Sequence, residues 1–136
     1  CKIRLDRDDD MIMTGKRHDF RVDYEAGFSR DGALRAVDVT LAARCGHSAD
    51  LSLGVVDRAM FHADNAYFYP TARILSRRMR TNTVSNTAFR GFGGPQGMLF
   101  AERMMDHIAF ATERDPLDVR KRNFYSDIGR DRTPYG

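Results

Sequence analysis

A chain of 136 residues can form one domain with a real core, but not two large ones. Its 42% hydrophobic and 30% charged residues suit a soluble globular segment, with no apolar run approaching the roughly 20 residues of a bilayer span and no charged-then-apolar leader, so a cytoplasmic location without a membrane partner is expected. The net charge of +3 comes from 22 basic and 19 acidic residues, and the acids are spread along the chain, so the basic run Arg73, Arg77, Arg78 and Arg80 reads as a solvated face or a subunit contact, with no nucleic-acid partner expected. Cys1 and Cys45 are too few and too far apart for a disulfide framework, an iron–sulfur cluster or a structural zinc site, and Cys45 reads as a small buried residue ending a strand.

Ile3 and Leu5 alternate with polar neighbours, which predicts a short opening strand whose upstream partners are missing. Asp6–Asp10 follows as an acidic turn; it lacks the glycine and closing glutamate of a calcium loop. Met11–Thr14 is expected as a second short strand closed by Gly15. Phe20, Val22, Tyr24, Ala26 and Phe28 alternate strictly with more polar residues, Ser29-Arg30-Asp31-Gly32 supplies a turn, and Val37, Val39, Leu41, Ala43 and Cys45 repeat the period on the return. Residues 1–46 are therefore predicted as strands ending in a long antiparallel hairpin.

Asp50 suits the N-cap of a helix over residues 51–63. Leu51, Val55, Arg58 and His62 fall within about 60° of one another on the wheel, and Leu53, Val56 and Met60 cover much of the other side. A short helix apolar nearly all round is usually buried, and a buried arginine needs a partner, so the residues alone favour an ion pair between Arg58 and an acid of another segment. His18 and His62 have no partner histidines at ligand spacing and read as structural. Asn65–Pro70 is an aromatic loop covering the core, and a strand over 73–83 delivers the chain to a glycine loop at 86–97. Ala101, Met104, Met105 and Ile108 give the next helix one apolar face, and Asp115-Pro116 cap and open a last helix ending near Asn123. Residues 95–123 thus hold two helices, and 126–136 read as a truncated tail. The fold class is α+β, an antiparallel hairpin-rich sheet with about three helices.

The loop Asn86-Thr87-Ala88-Phe89-Arg90-Gly91-Phe92-Gly93-Gly94-Pro95-Gln96-Gly97 packs four glycines around aromatics and an arginine just before a helix. Gly91, Gly93 and Gly94 have no Cβ to hold a ligand off the main chain, and they allow turns that aim several N–H groups into one space. Gln96 stands where a dinucleotide fingerprint needs its third glycine, and no Gly-Lys-Ser/Thr follows, so neither nucleotide motif is met. A glycine-rich corner between strand and helix fits the residue types as well as a ligand cradle does.

The string Thr87-Ala88-Phe89-Arg90-Gly91-Phe92-Gly93-Gly94-Pro95-Gln96 resembles a signature of the molybdenum hydroxylases, within the xanthine dehydrogenase and xanthine oxidase branch. The likeness extends to Arg4–Met11, Thr14–His18, Asp57–His62 and Asp115-Pro116, separated motifs in the same order. The resemblance implies a segment of an intertwined molybdopterin-binding region and a reaction that hydroxylates an electron-poor purine carbon. It implies a molybdenum-molybdopterin cofactor, with iron–sulfur clusters and FAD on other parts of an oligomeric enzyme. By the same resemblance, the Arg90 backbone N–H approaches the molybdenum ligands beside Gly91 and Gly93, Phe92 packs against the purine ring, and Arg58 stabilises negative charge on its exocyclic oxygen.

No glutamate of this chain matches the family's catalytic base, which is expected downstream; Glu25, Glu102 and Glu113 sit elsewhere. The chain is therefore expected to be a fragment, inactive without the remaining segments. Two alternatives stand beside the purine enzyme. One is an aldehyde oxidase, whose counterpart of Arg58 is typically uncharged; the other is a non-catalytic module that uses Arg73 to Arg80 for binding.

Overall fold

The computed structural model describes residues 1–136. Its elements run α1 (Arg7–Met13), β1 (Phe20–Phe28), β2 (Leu34–Gly46), α2 (Ser52–Met60), β3 (Ala72–Arg80), α3 (Gly94–Thr112) and α4 (Pro116–Asn123). The class is α+β, with four helices where about three were expected. The additional one is α1, which replaces the predicted acidic turn and short strand. Asp6 caps it by accepting from the Asp9 N–H at 2.9 Å, and Asp8, Asp9 and Asp10 occupy the first turn, where the positive helix end favours acids. Those two signals outweigh the brief alternation around Met11, and Ile3 lies in no strand.

β1 and β2 form the expected hairpin, in register from Phe20 opposite Ala43 to Phe28 opposite Leu34. Its connection is looser than a two-residue Asp-Gly turn. Gly32 alone takes positive φ (82°), and the Ser29 N–H reaches across to the Ala33 carbonyl at 2.9 Å. The sheet as a whole is not antiparallel, because β3 runs parallel to β2 from Val37 beside Ala72 to Gly46 beside Arg80. Helix α2 and the aromatic loop carry the chain back along the sheet before β3 begins, as a parallel pairing requires. The order is β1-β2-β3, with β2 central.

The core lies between this sheet and α3. Leu34, Val37, Val39 and Leu41 of β2 pack with Phe100, Met104, Met105 and Ile108 of α3, and Tyr67 and Tyr69 fill the gap beneath. Asp115 caps α4 through the N–H groups of Leu117 and Asp118. Buried Asn123 then ties α4 to the hairpin, accepting from the Leu34 N–H at 2.8 Å and donating to the Gly32 carbonyl at 2.9 Å. The 126–136 tail packs back on the body: Tyr135 sets its ring edge-on to Phe61 at 4.9 Å and donates to the Met60 carbonyl. Two arginines of the basic run are paired across the surface, Arg73 with Asp38 and Arg78 with Asp57. No helix is long and apolar enough to cross a membrane.

Candidate functional site

The chain leaving β3 is clamped on both sides before it reaches the glycine loop. Asn86 donates its side-chain amide to the Arg44 carbonyl at 2.9 Å and its backbone N–H to the Cys45 carbonyl at 3.0 Å. Thr87 donates its N–H to the Lys16 carbonyl at 3.0 Å. Gly15 and Gly46 make this approach possible, since a Cβ on Gly15 would overlap the Ser85 carbonyl and one on Gly46 the backbone of Val84 and Ser85.

Three consecutive residues then take positive φ: Gly91 (91°), Phe92 (49°) and Gly93 (94°). The Phe92 N–H closes onto the Phe89 carbonyl at 2.7 Å and the Gly94 N–H onto Gly91 at 3.0 Å. The N–H groups of Arg90 and Gly91 have no acceptor within the chain, and both residues are exposed. Phe92 adopts the left-handed conformation although it is not glycine, a strained choice of the kind found at ligand sites.

Of the two readings the residue types left open, a strand-to-helix corner and a ligand cradle, the first describes the packing of Gly93 and Gly94. Gly93 and Gly94 are buried against α2: a Cβ on Gly93 would overlap the Val55 carbonyl oxygen, and one on Gly94 would stand 3.4 Å from the His62 ring. Gly97 faces the Ala59 carbonyl in the same way. Their smallness brings the start of α3 onto the backbone of α2, and Gly91 alone of the turn's three glycines is exposed.

Helix α2 begins at Ser52 and not at Leu51; Asp50, with φ 41°, is not its cap, and Leu51 in that place makes no side-chain cap bond. It ends at Met60, short of the expected Ala63. Ser52, Val55, Val56 and Ala59 are buried, while Leu53 and Arg58 are exposed, so the helix is half-covered. The expected ion pair of Arg58 is not formed; the neighbouring Asp57 takes Arg78. His62 Nδ1 donates to the Arg58 carbonyl at 2.9 Å. Gly54 and Arg58 stand four positions apart and share a face. The Phe92 ring lies on that face, where a Cβ on Gly54 would be 3.0 Å from Phe92 Cε1. The structure thus brings Phe92 within one helical turn of Arg58, beside the turn that carries Arg90 and Gly91.

Residues 16–18 complete the surround. The Arg17 guanidinium lies over the Phe89 ring, 4.5 Å from its centroid. Buried His18 shares a 2.7 Å hydrogen bond with Ser52 Oγ and accepts at its carbonyl from Gln96 Nε2 at 3.0 Å. Burial pushes the His18 imidazole pKa down and so favours the neutral ring.

Residues 1–124 match the family model described as the molybdopterin cofactor-binding domain. The chain belongs to that family. Over 126 residues it is 49% identical to a xanthine dehydrogenase of Oryza sativa subsp. japonica and 47% identical to a xanthine dehydrogenase/oxidase of Mus musculus, in each case covering 93% of the chain and 9% of the relative. A solved aldehyde oxidoreductase of Desulfovibrio gigas superposes with a TM-score of 0.73 at 33% identity, over 84% of this chain and 13% of that one. The chain therefore spans about a tenth or less of the length of the curated relatives it matches, and further segments accompany the matched stretch in each.

Within this molybdopterin cofactor-binding segment, sequence reasoning passed over Gly54, Arg17 and Asn86. An isolated glycine in the middle of a helical pattern was the available signal for Gly54, since it disfavours the helix and asks for a packing reason. Arg17 and Asn86 lie in the quoted Thr14–His18 and Asn86–Gly97 stretches, but nothing in their residue types marked what they touch. Their roles arise from pairing across dozens of residues.

Proposed function

We propose that this chain forms one wall of the molybdenum and substrate pocket of a xanthine dehydrogenase, and that the intact enzyme hydroxylates a purine such as hypoxanthine or xanthine. The observation that carries the reading is the placement of Phe92 against the Gly54 face of α2, one turn from an exposed Arg58 that has no carboxylate partner. A flat aromatic face beside an uncommitted guanidinium suits a heteroaromatic ring bearing an anionic oxygen.

The residues present also suit the cofactor. Arg90 and Gly91 offer uncommitted main-chain N–H donors on an exposed turn, which favours bound oxygen atoms at no cost in side-chain ordering. When bound, molybdenum-molybdopterin supplies the two-electron oxidation. This chain's own part is to hold the cofactor through the Arg90 N–H beside Gly91, to orient the ring against Phe92, and to offset charge on the substrate oxygen with Arg58. Gly93 serves by fixing the turn on α2. The glutamate base, the iron–sulfur clusters and FAD belong to the remaining segments of a cytoplasmic, oligomeric enzyme.

Replacing Arg58 with methionine in the intact enzyme tests the substrate. Purine turnover should fall by roughly 10²–10³, and turnover more than binding, because the lost interaction strengthens as charge develops. Oxidation of a small aromatic aldehyde should be kept on protein of matched molybdenum content. Equal losses for both substrates would overturn the purine assignment. The likeness to the Desulfovibrio gigas enzyme, named for aldehydes, supports a second reading in which an aldehyde is the physiological substrate; the same pair of measurements separates the two. A separate basic binding module has less support, since Arg73 and Arg78 are engaged by acids of this chain.

A further inference from the structure

Arg17 lies in the Thr14–His18 stretch, to which the roles above assign no function. Its guanidinium is stacked on Phe89 at 4.5 Å and has no carboxylate within ion-pair distance. Nη1 is sealed from solvent and has no acceptor. A buried donor left unpaired is costly, and a charged one more so, which makes an orphan of this kind a marker for something that completes it.

The orphan also has a telling neighbour. Nη1 lies 4.0 Å from the position a Cβ would take on Gly91, the exposed glycine of the turn. The Arg90 and Gly91 N–H groups at that turn are themselves uncommitted. A side chain on Gly91 would overlap the Pro95 ring, so this position stays bare and the guanidinium lies next to the main chain. Stacking on Phe89 fixes the guanidinium plane, so its donors are aimed before any ligand arrives.

We infer that Arg17 and the Arg90–Gly91 turn form an oxyanion-binding cradle, in which the guanidinium Nη1 and main-chain N–H groups converge on one anionic oxygen. The inference rests on the pocket proposed above and adds a charged donor to it. Two sources offer the chemistry: an oxygen of the bound cofactor, or a carboxylate or enolate oxygen of a substrate or inhibitor. No carboxylate of this chain reaches Nη1 to compete.

The test uses the full-length enzyme with Arg17→Met, which retains packing on Phe89, and Arg17→Lys, which retains the charge. Molybdenum content is measured before and after prolonged dialysis, and affinity for benzoate and for neutral benzamide is measured by calorimetry on molybdenum-loaded protein. Losing a charge-assisted hydrogen bond weakens binding by about tenfold or more. If the oxygen is the cofactor's, the methionine variant sheds molybdenum about tenfold faster and the lysine variant restores most of the retention. If it is the substrate's, molybdenum is retained, benzoate binds about tenfold more weakly and benzamide is unaffected. Native retention together with native benzoate affinity, with or without a lower melting temperature, would overturn the cradle and leave Arg17 as a clamp on Phe89. A native enzyme without molybdenum would defeat the proposed function instead; benzoate and benzamide titrated into that metal-free protein, native against Arg17→Met, would then report on Arg17.

Discussion

Phe92 Cε1 occupies the space that a methyl group on Gly54 would need, with 3.0 Å between the ring carbon and that position. Helix propensity alone favours alanine there by about 0.8–1 kcal/mol. The two effects separate cleanly in Gly54→Ala. The helix should hold, so the melting temperature stays level or rises, while the ring is displaced by a few tenths of an ångström and the purine KM of the intact enzyme rises several-fold. Thermal melts and steady-state kinetics on the same preparation check it; an unchanged KM would mean that Gly54 does not set the ring.

Gly97 is a second helical glycine for which propensity and packing disagree. It sits inside α3 and faces the Ala59 carbonyl of α2, which a Cβ would overlap with backbone on both sides. Gly97→Ala should destabilise the protein by about 3 kcal/mol or more, because neither helix can move aside without disturbing the core. Gly93→Ala should cost at least as much, since it adds a φ of 94° to the same kind of overlap. Denaturant titration of each variant gives the values, and a loss under 1 kcal/mol for Gly97→Ala would show that the helix crossing is loose.

The buried His18 predicts a stability that depends on pH. Its folded pKa lies below the ordinary value of about 6.5, first because burial disfavours the charged ring. Above about pH 6.5 folded and unfolded rings are both neutral and the group contributes no slope. As the pH falls below that value the unfolded chain binds the proton more readily, so stability declines until the folded pKa is reached. Denaturant midpoints measured between pH 7.5 and 5 should show the decline, and His18→Asn should flatten it while retaining a side chain able to reach Ser52.

The hairpin, α3 with its inward Met104, Met105 and Ile108, and the Asp115-Pro116 start of α4 were legible because each is a local pattern: a period of two, a period of 3.6, or a cap. α1 was missed where a cap and three acids opposed a weak alternation. The parallel placement of β3 was not legible, since strand direction depends on the path of the crossover and not on the residues of the strand. At the site, residue types singled out the glycine loop, while the roles of Arg58 and Phe92 came from the family resemblance; neither showed that Gly93 faces a carbonyl of α2 and Gly94 the His62 ring just beyond it. Which neighbour a glycine makes room for is decided across the fold. The same holds for Arg17, whose partner Phe89 lies 72 positions further along the chain.

The parallel pairing of β2 with β3 also orders events in time. Phe28 finds Leu34 across a short turn, whereas Val37 finds Ala72 only after α2 and the aromatic loop have been traversed. Closing the larger loop costs more entropy and slows the search, so the hairpin can assemble first and wait. A ribosome releasing this stretch would expose one bare edge of β2, thirteen residues long, until Arg80 has emerged. For that interval the nascent chain offers a strand edge to any neighbour able to pair with it, and a holding chaperone would find its site there.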